Sequence, residues 1–379
     1  MTEPRTVLVV TGSRADFGLW LPVLEASRAR GDLEPALLVT AMHLDPRFGL
    51  TAADVRSSGF PIAAEVPCTP EGDSRADMAS AIGVALAGMA PVLAGQRPDW
   101  VAVLGDRGEQ LAAALAATHL GIPIAHLHGG ERTLGSLDDA VRDAITGLAH
   151  VHCVATDTAA ARVRRQGEAG WRIHRTGAPG LDGILEMAAR PTVPLRQAFG
   201  LPETGPYLLV LQHPETRSPR DPAQDMAETL QAVSNGRLPA LFVLPNADAG
   251  GRAMTRSLTA KVAPMVVPSL ARADFITLLA GAAALVGNSS AALIEAPLLR
   301  VPAVNIGQRQ AGRERGDNVV DVEPSAAAIE AGLRQALAPG FRAGLNGVSP
   351  YGDGRSGPRI AEILAREPID ERLLAKFDD

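Results

Sequence analysis

Short apolar runs alternate with helical segments along most of the chain, and this alternation constrains the fold more than any other feature. The runs are apolar without strict alternation, which is typical of parallel strands covered by helices on both faces. In the first half, the predicted strands cover residues 7–11, 36–40, 100–104, 123–127, 151–155 and 172–176. The predicted helices between them cover residues 19–30, 74–93, 108–119, 138–148 and 157–167.

A proline-rich segment, residues 188–206, interrupts this series and is the predicted linker. A second series follows, with predicted strands at residues 207–212, 240–244, 265–267, 284–286, 303–306 and 319–322. Its predicted helices cover residues 222–234, 272–282, 291–299, 325–337 and 357–366. The sequence thus predicts an α/β fold with two Rossmann-like domains, residues 1–188 and 189–355, facing each other across a cleft. Residues 356–379 are predicted to form a helical segment that packs back on the first domain.

Composition argues against several classes of partner. Only 3% of the residues are aromatic and the formal net charge is −6, which disfavours a nucleic-acid-binding surface. The longest apolar stretch, near residues 278–287, is too short for a bilayer span, and the amino terminus has no signal-peptide pattern. We therefore expect a cytoplasmic protein with no nucleic-acid or membrane partner. All but two of the 36 basic residues are arginines, so any anion site must be built mainly from arginine.

No cofactor or metal is expected. Neither series has the G-x-G-x-x-G fingerprint after its first strand, which disfavours NAD and FAD. His126 and His128 lie two residues apart without a later histidine at ligand spacing, so a zinc site is disfavoured. No Walker loop or Asp-x-Asp motif is present, and arginines and helix N-termini would neutralise a bound diphosphate.

Charged residues follow several first-domain strands, at the edge where open α/β sheets bind ligands. After the first strand, Arg14 could clamp a phosphate, and Asp16 could be a helix cap or a reacting group. Asp106 and Arg107 end the strand at 100–104 and form an active-site candidate, unless Asp106 only caps the next helix.

The segment 125–132 adds two acid–base candidates, His128 and Glu131. Asp138 and Asp139 open the following helix, where they are either caps or further carboxylates in the cleft.

Second-domain strand ends carry polar loops as well. His213 follows the strand at 207–212 and could point into the cleft or serve only its own loop, and Asn246 occupies a similar loop. Ser289 and Ser290 lie at a glycine turn that is predicted to begin a helix, so hydroxyls and backbone N–H groups could bind a phosphate there. Glu295 follows at a suitable place to accept hydrogen bonds from a ribose. The segment 307–313 could bring arginine, Arg309 or Arg313, to the same anion.

Taken together, these motifs resemble the hydrolysing UDP-N-acetylglucosamine 2-epimerase family. The matching segments run in order from residue 11 to residue 354, and the most specific are TGSRADFGL, VLGDRGEQLAAALAA, IPIAHLHGGERT, DDAVRDAITGLAH, QHPET, LPNADAGGR, GNSSAALIEAP and VNIGQRQAGRERGDNV. The resemblance implies a glycosyltransferase-B-like fold and conversion of UDP-GlcNAc to UDP and N-acetylmannosamine. UDP is eliminated to give a 2-acetamidoglycal, which is then hydrated. A dimer or tetramer is also implied.

The resemblance also implies roles for individual residues. Asp106, Glu131 and His213 are the leading acid–base candidates, followed by Asp16, His128 and one of Asp138 or Asp139. The family pattern places phosphate against Arg14, Ser289, Ser290 and Arg313, ribose against Glu295, and the sugar near His43. Arg107, Asn246 and Arg309 complete the substrate-binding set.

Two departures from the family pattern lie near the sugar end and leave the sugar open. Arg142-Asp143 stands where the family usually has Arg-His, and the segment 131–134 also differs from the usual sequence. The main alternative is a hydrolysing 2-epimerase of a UDP- or GDP-2,4-diacetamido-2,4,6-trideoxyglucose. A non-hydrolysing 2-epimerase, a glycosyltransferase and a catalytically silent nucleotide-sugar sensor are disfavoured.

Overall fold

Two parallel sheets form the frame of the protein, in a computed structural model that describes residues 3–259 and 265–376. The first sheet has the order β3-β2-β1-β4-β5-β6-β7 and consists of β1 (Arg5–Thr11), β2 (Leu33–Thr40), β3 (Ile62–Val66), β4 (Trp100–Leu104), β5 (Ile124–Leu127), β6 (Val151–Val154) and β7 (Ile173–Arg175). The second has the order β10-β9-β8-β11-β12-β13 and consists of β8 (Leu208–Leu211), β9 (Ala240–Val243), β10 (Val266–Val267), β11 (Ala284–Gly287), β12 (Ala303–Ile306) and β13 (Val319–Val322). The predicted α/β class with two Rossmann-like units is confirmed.

Helices cover these sheets, whose central strands are almost entirely buried. The helices are α1 (Arg14–Arg30), α2 (Ala52–Ser57), α3 (Arg75–Gln96), α4 (Gly108–His119), α5 (Asp138–Leu148), α6 (Asp157–Arg165), α7 (Ile184–Ala188), α8 (Val193–Ala198), α9 (Pro222–Asn235), α10 (Gly251–Thr259), α11 (Arg272–Gly281), α12 (Glu295–Leu298), α13 (Ala326–Ala336), α14 (Phe341–Gly344), α15 (Ser356–Arg366) and α16 (Glu371–Ala375).

The prediction missed β3, α2, α7, α8, α10 and α14, and one predicted helix is wrong. Residues 291–299 do not form a continuous helix: a 3-10 turn at Ser290–Ala292 precedes the single-turn α12. Carbonyl oxygens that a longer helix would use accept side-chain hydrogen bonds instead, because Asn318 Nδ2 donates to Ala292 and Ser349 Oγ donates to Ile294. The positive helix end expected after Ser290 is therefore short.

The chain crosses between the sheets twice. Ala178, Leu181 and Ile184 pack in one core cluster with Tyr207 and other residues of the second sheet, so the segment before residue 188 already packs with the second unit. After β13 the chain returns, and α15 and α16 pack against the first sheet, where the Trp100 indole donates a hydrogen bond to Leu364 O.

Helix α3 is the longest helix of the described chain. It is long and apolar enough to cross a membrane by length and composition, with a mean hydropathy of 1.8 in its most apolar stretch, of which 17% is buried. The expectation that the longest apolar stretch lies near residues 278–287 is wrong, because residues 81–95 of α3 form a longer run without a charged or polar side chain. A single helix of this kind is a weak indication of a membrane span.

Candidate active site

A cavity of about 520 Å³ lies where the two sheets face each other. Its lining includes the loops that follow β1, β4, β8 and β11, represented by Ser13, Asp106, His213 and Ser289. In each sheet the strand order reverses direction between two of these strands, β1 and β4 or β8 and β11. Ligands of open α/β sheets bind at such points. The cavity is therefore the candidate active site.

Asp16 is a buried carboxylate of the first-domain wall. It closes a capping box with Ser13 at the start of α1, and it accepts hydrogen bonds from Gly12 N at 3.0 Å and from the Thr11 hydroxyl. Burial outweighs these hydrogen bonds and raises the pKa of Asp16 to about 6. This carboxyl can thus hold a proton under mildly acidic conditions.

His43 contacts Thr11, whose hydroxyl donates to Asp16. Its Nε2 lies 3.0 Å from Thr11 Oγ1 and its Nδ1 lies 2.8 Å from Thr51 Oγ1, so the ring is fully enclosed and does not line the cavity. Burial lowers the pKa of His43 to about 4. His43 thus does not line the cavity, and it is connected to Asp16 through the Thr11 hydroxyl.

The two aspartates that open α5 have different surroundings. Asp138 lines the cavity, and Arg309 Nη2 of the second domain lies 3.5 Å from its Oδ2. Burial raises the pKa of Asp138. Asp139 is not among the lining residues and accepts a 2.6 Å hydrogen bond from Thr133 N. Asp138 is accordingly the one of the pair with access to a substrate.

Glu131, His128 and Arg313 form a buried cluster outside the cavity lining. Glu131 Oε1 lies 2.6 Å from His128 Nδ1, and its Oε2 lies 2.9 Å from Arg313 Nη2 of the second domain. Burial alone would raise the pKa of Glu131, but the adjacent Arg313 and His128 lower it below its usual value. His128 has a φ of 61°, a left-handed conformation uncommon for a residue with a side chain. In this arrangement none of the three is exposed to a ligand in the cavity.

His213 is the most strongly positioned group of the second-domain wall. Asn246 N donates to its Nδ1 at 3.1 Å, so the neutral ring carries its proton on Nε2. Asn288 holds its backbone reciprocally: Asn288 Oδ1 accepts from His213 N at 2.7 Å, and Asn288 Nδ2 donates to His213 O at 2.9 Å. Burial, reinforced by Arg309 and Arg107, lowers the pKa of His213 well below its usual value. The ring is thus a neutral donor.

Ser289 and Ser290 reach the cavity through a tight turn at Gly287. That glycine has a φ of 131°, and a Cβ there would lie 2.1 Å from Leu211 O, so no other residue fits without moving the strand. Ser289 Oγ accepts from Ala291 N at 3.3 Å. Glu295 also lines the cavity, and Arg272 Nη1 lies 3.5 Å from its Oε1.

Every arginine that lines the cavity and has a predicted role is paired with a carboxylate. Arg14 Nε donates to Asp54 at 2.6 Å, and Arg107 lies between Glu109 at 2.8 Å and Asp248 of the other domain at 3.5 Å. Arg309 faces Asp138, as described above. A bound diphosphate would meet arginines whose charges are already partly balanced, together with neutral donors.

The sequence predicted no role for some residues of the cavity and its surroundings: Glu109, Arg142, Asp248, Arg272 and Asn288. Asn288 adjoins Ser289 at a strand end, and this signal could have found it. The cavity also has an apolar part, formed mainly by the first domain, whose residues include Met42, Phe48, Cys68, Met78, Ile82 and Val141. Within the described ranges, no group of three or more His, Cys, Asp or Glu side chains is arranged to hold a metal ion.

Comparison with known proteins gives a consistent result. A family model described as UDP-N-acetylglucosamine 2-epimerase matches residues 25–365. The chain is 36% identical to the UDP-N,N'-diacetylbacillosamine 2-epimerase (hydrolyzing) of Legionella pneumophila over 98% of both chains. It is 30% identical to the UDP-N-acetylglucosamine 2-epimerase of Neisseria meningitidis over 95% of both chains. A crystal structure of UDP-GlcNAc 2-epimerase from Neisseria meningitidis bound to UDP-GlcNAc has the same fold, with a TM-score of 0.79 at 19% identity over 96% of this chain and 100% of that one.

Proposed function

Because the chain belongs to the UDP-N-acetylglucosamine 2-epimerase family, we propose that it is a hydrolysing epimerase of a UDP-2-acetamido sugar. The reaction eliminates UDP from the sugar with loss of the C2 proton, giving a 2-acetamidoglycal. Water then adds at C1, and C2 is reprotonated from the opposite face. The net change consumes one water and gives UDP and the free C2-inverted sugar.

One observation carries this proposal: carboxylates on one wall of the cavity face hydrogen-bond donors, suited to a diphosphate, on the other wall. Asp16, Asp106 and Asp138 supply the acid–base groups that two opposite proton transfers require. On the other wall, Ser289 and Ser290 offer hydroxyls to the diphosphate. His213 Nε2–H can donate to a phosphate oxygen as negative charge develops on the leaving UDP. Glu295 is the candidate ribose acceptor.

For the sugar, we favour a 2,4-diacetamido-2,4,6-trideoxyglucose over N-acetylglucosamine. The apolar part of the cavity, with Met42, Phe48 and Val141, suits a methyl group at C6 and an acetamido methyl at C4. The Legionella pneumophila relative, whose substrate in its name is UDP-N,N'-diacetylbacillosamine, supports the same choice. A methyl group at C6 gains more from contact with an apolar surface than a hydroxyl does.

UDP-GlcNAc is the second candidate, because the family model and the Neisseria meningitidis relative carry that substrate in their names. The two sugars are separated by measuring kcat/KM for UDP- and GDP-activated forms of each, with product identified by NMR in D2O. We expect deuterium at C2, free sugar, and at least a tenfold preference for the UDP-linked diacetamido sugar, the scale of one or two extra methyl groups in an apolar pocket. Nucleotide release without exchange or inversion at C2 would exclude epimerisation.

A further inference from the structure

Arg142 has no role in the mechanism above, yet it lies directly behind one of its acid–base groups. It occupies the second turn of α5 and is only 1% exposed. Its Nη2 donates to Asp106 Oδ2, and its Nη1 donates to Glu131 O at 2.9 Å and to Asp139 Oδ1 at 3.2 Å. A single guanidinium thus connects the loop after β4, the segment after β5 and the first turn of α5.

This burial is not explained by stability alone. Removing a guanidinium from water is costly, and a buried ion pair is often no more stabilising than apolar residues of the same volume. Of its acceptors, Asp106 is the one that lines the cavity, whereas Glu131, Thr133 and Asp139 are not among the lining residues. The cation therefore faces the cavity only through Asp106.

The contact also determines how Asp106 can act. A guanidinium only donates hydrogen bonds, so Asp106 Oδ2 must accept and is occupied. Among the described residues, none forms a hydrogen bond with Oδ1, and the Asp106 side chain is 20% exposed toward the cavity. Because Arg142 pairs with Oδ2, the carboxylate of Asp106 stays charged and its Oδ1 is left to face a substrate.

We propose that Arg142 is a positioning residue that orients Asp106 and keeps it ionised, which makes Asp106 the base that removes the C2 proton. This inference rests on the proposed epimerase function. Asp138 pairs more loosely, with Arg309 across the cleft at 3.5 Å, and is then left as the acid that returns a proton.

The test is the pH dependence of UDP release by Arg142→Ala, compared with the wild-type protein. We expect kcat to fall about 100-fold, the lower end of what a positioned base contributes, and the acidic limb of the profile to move to higher pH. UDP affinity should change by less than about threefold, since Arg142 does not line the cavity and contacts none of the proposed phosphate donors. Added guanidinium ion, far below denaturing concentration, should restore at least a tenth of the lost rate.

Other charged groups line the same cavity or pair with Arg142, so the shift must be compared between variants in which these groups are unchanged. They are Arg107 and Glu109 after β4, Asp138 and Asp139 on α5, Asp16 on α1, and His213, Asp248 and Arg309 from the second domain. Arg172→Ala is the matched control: Arg172 is also 1% exposed and donates to carbonyls of His150 and Leu373, away from the cavity. It should lower Tm and leave the pH profile and the guanidinium response unchanged.

Two outcomes would overturn the positioning role of Arg142. If Arg142→Ala keeps the wild-type acidic limb, gains nothing from guanidinium and loses activity only with its folded fraction, Arg142 is merely structural and the inference is wrong. If Arg142→Ala does not fold, Arg142→Lys keeps a cation with fewer donors; it should lose about tenfold in kcat, and an unchanged kcat overturns the positioning role. Deuterium incorporation at C2 by the wild-type protein tests the epimerase proposal separately. The acidic limb of the pH profile is measured from UDP release, which does not require inversion at C2.

Discussion

The two walls of the cavity hold their polar groups by different means. On the first-domain wall, side chains donate to the carboxylates: Arg142 donates to Asp106, and Thr11 donates to Asp16, which also accepts from Gly12 N within a helix cap. On the second-domain wall, the proposed diphosphate donors His213 and Ser289 are neutral and are held by the backbone, although charged groups such as Arg309 and Glu295 also line that wall. Asn246 N fixes the His213 ring, and the turn at Gly287 presents Ser289.

The difference follows from what each wall is proposed to do. A group that changes its protonation needs an environment that sets its charge, and only nearby charges and burial supply that. A group that binds a diphosphate needs fixed geometry and hydrogen-bond donors, which backbone turns supply. If this division holds, substitutions on one wall should affect turnover, and those on the other should affect nucleotide binding.

The largest effect should come from Asp106→Asn. Asparagine keeps the size of the side chain and an acceptor for Arg142 but cannot take a proton, so kcat should fall by about 10³-fold. UDP affinity, measured by calorimetry, should stay within about threefold. Asp143→Asn is the control, because Asp143 pairs with Arg132 outside the cavity. Equal losses of UDP affinity and turnover in Asp106→Asn would contradict the division between the walls.

The raised pKa of Asp16 should be detectable as a pH dependence of the free energy of unfolding. Burial raises the pKa of Asp16 to about 6 from 3.8. The folded state therefore binds this proton more tightly than the unfolded state, and stability falls as the pH rises through that interval. Relative to Asp16→Asn, the wild-type protein should lose up to about 3 kcal/mol of unfolding free energy between about pH 4 and pH 7.

Urea denaturation of both proteins across this pH range measures the difference. Asp32→Asn is the control, since the hydrogen bond from Arg30 lowers the pKa of the exposed Asp32 and gives a dependence of opposite sign. A parallel pH dependence of wild type and Asp16→Asn would mean that the pKa of Asp16 is the same in the folded and unfolded states.

On the second wall, the double change Ser289→Ala and Ser290→Ala should weaken UDP binding about tenfold, because a hydrogen bond to a charged group contributes about 1.5 kcal/mol. The value of kcat at saturating substrate should change by less than about threefold. Ser325→Ala is the control: it removes the N-cap of α13 in the same domain, so it measures the effect of losing a helix cap alone. A fall in kcat with unchanged UDP affinity would assign these serines to the chemistry instead.

Much of this arrangement could be predicted from the sequence, and the failures have physical causes. The strand-end motifs of Asp106, His213 and Ser289 reach one cavity because parallel strands direct their carboxyl ends to the same edge. The sequence could not decide between Asp138 and Asp139, since adjacent residues on a helix point about 100° apart and only packing sets the phase.

Glu131 and Arg313 show a second limit. Both occur in strand-end motifs, but they pair with each other across the domain interface and stay buried outside the cavity lining. No local pattern records a partner from the other domain. Strand β3 was missed because it is a short edge strand of mostly half-buried residues, in which alanine occupies the centre.

The smallest effect should come from Asp73→Ala, which removes one of the contacts between the two walls. This first-domain carboxylate accepts hydrogen bonds from Gly250 N at 3.0 Å and Ala253 N at 3.1 Å, and so caps the N-terminus of α10 in the second domain. A cap contributes about 1 kcal/mol, and here it favours the closed arrangement. Asp73→Ala should therefore lower kcat/KM about fivefold, through KM more than kcat.

Asp77 is a matched control for Asp73 because it lies four residues away and caps α3 within its own domain, through Ser74. Asp77→Ala should lower Tm but leave KM unchanged, since it removes no contact between the walls. Small-angle scattering with and without UDP should show a larger closure on binding for Asp73→Ala than for Asp77→Ala. If both variants change KM alike, the cap stabilises helices but does not couple the two walls, and the walls must be held together by the ion pairs of Arg107, Arg309 and Arg313.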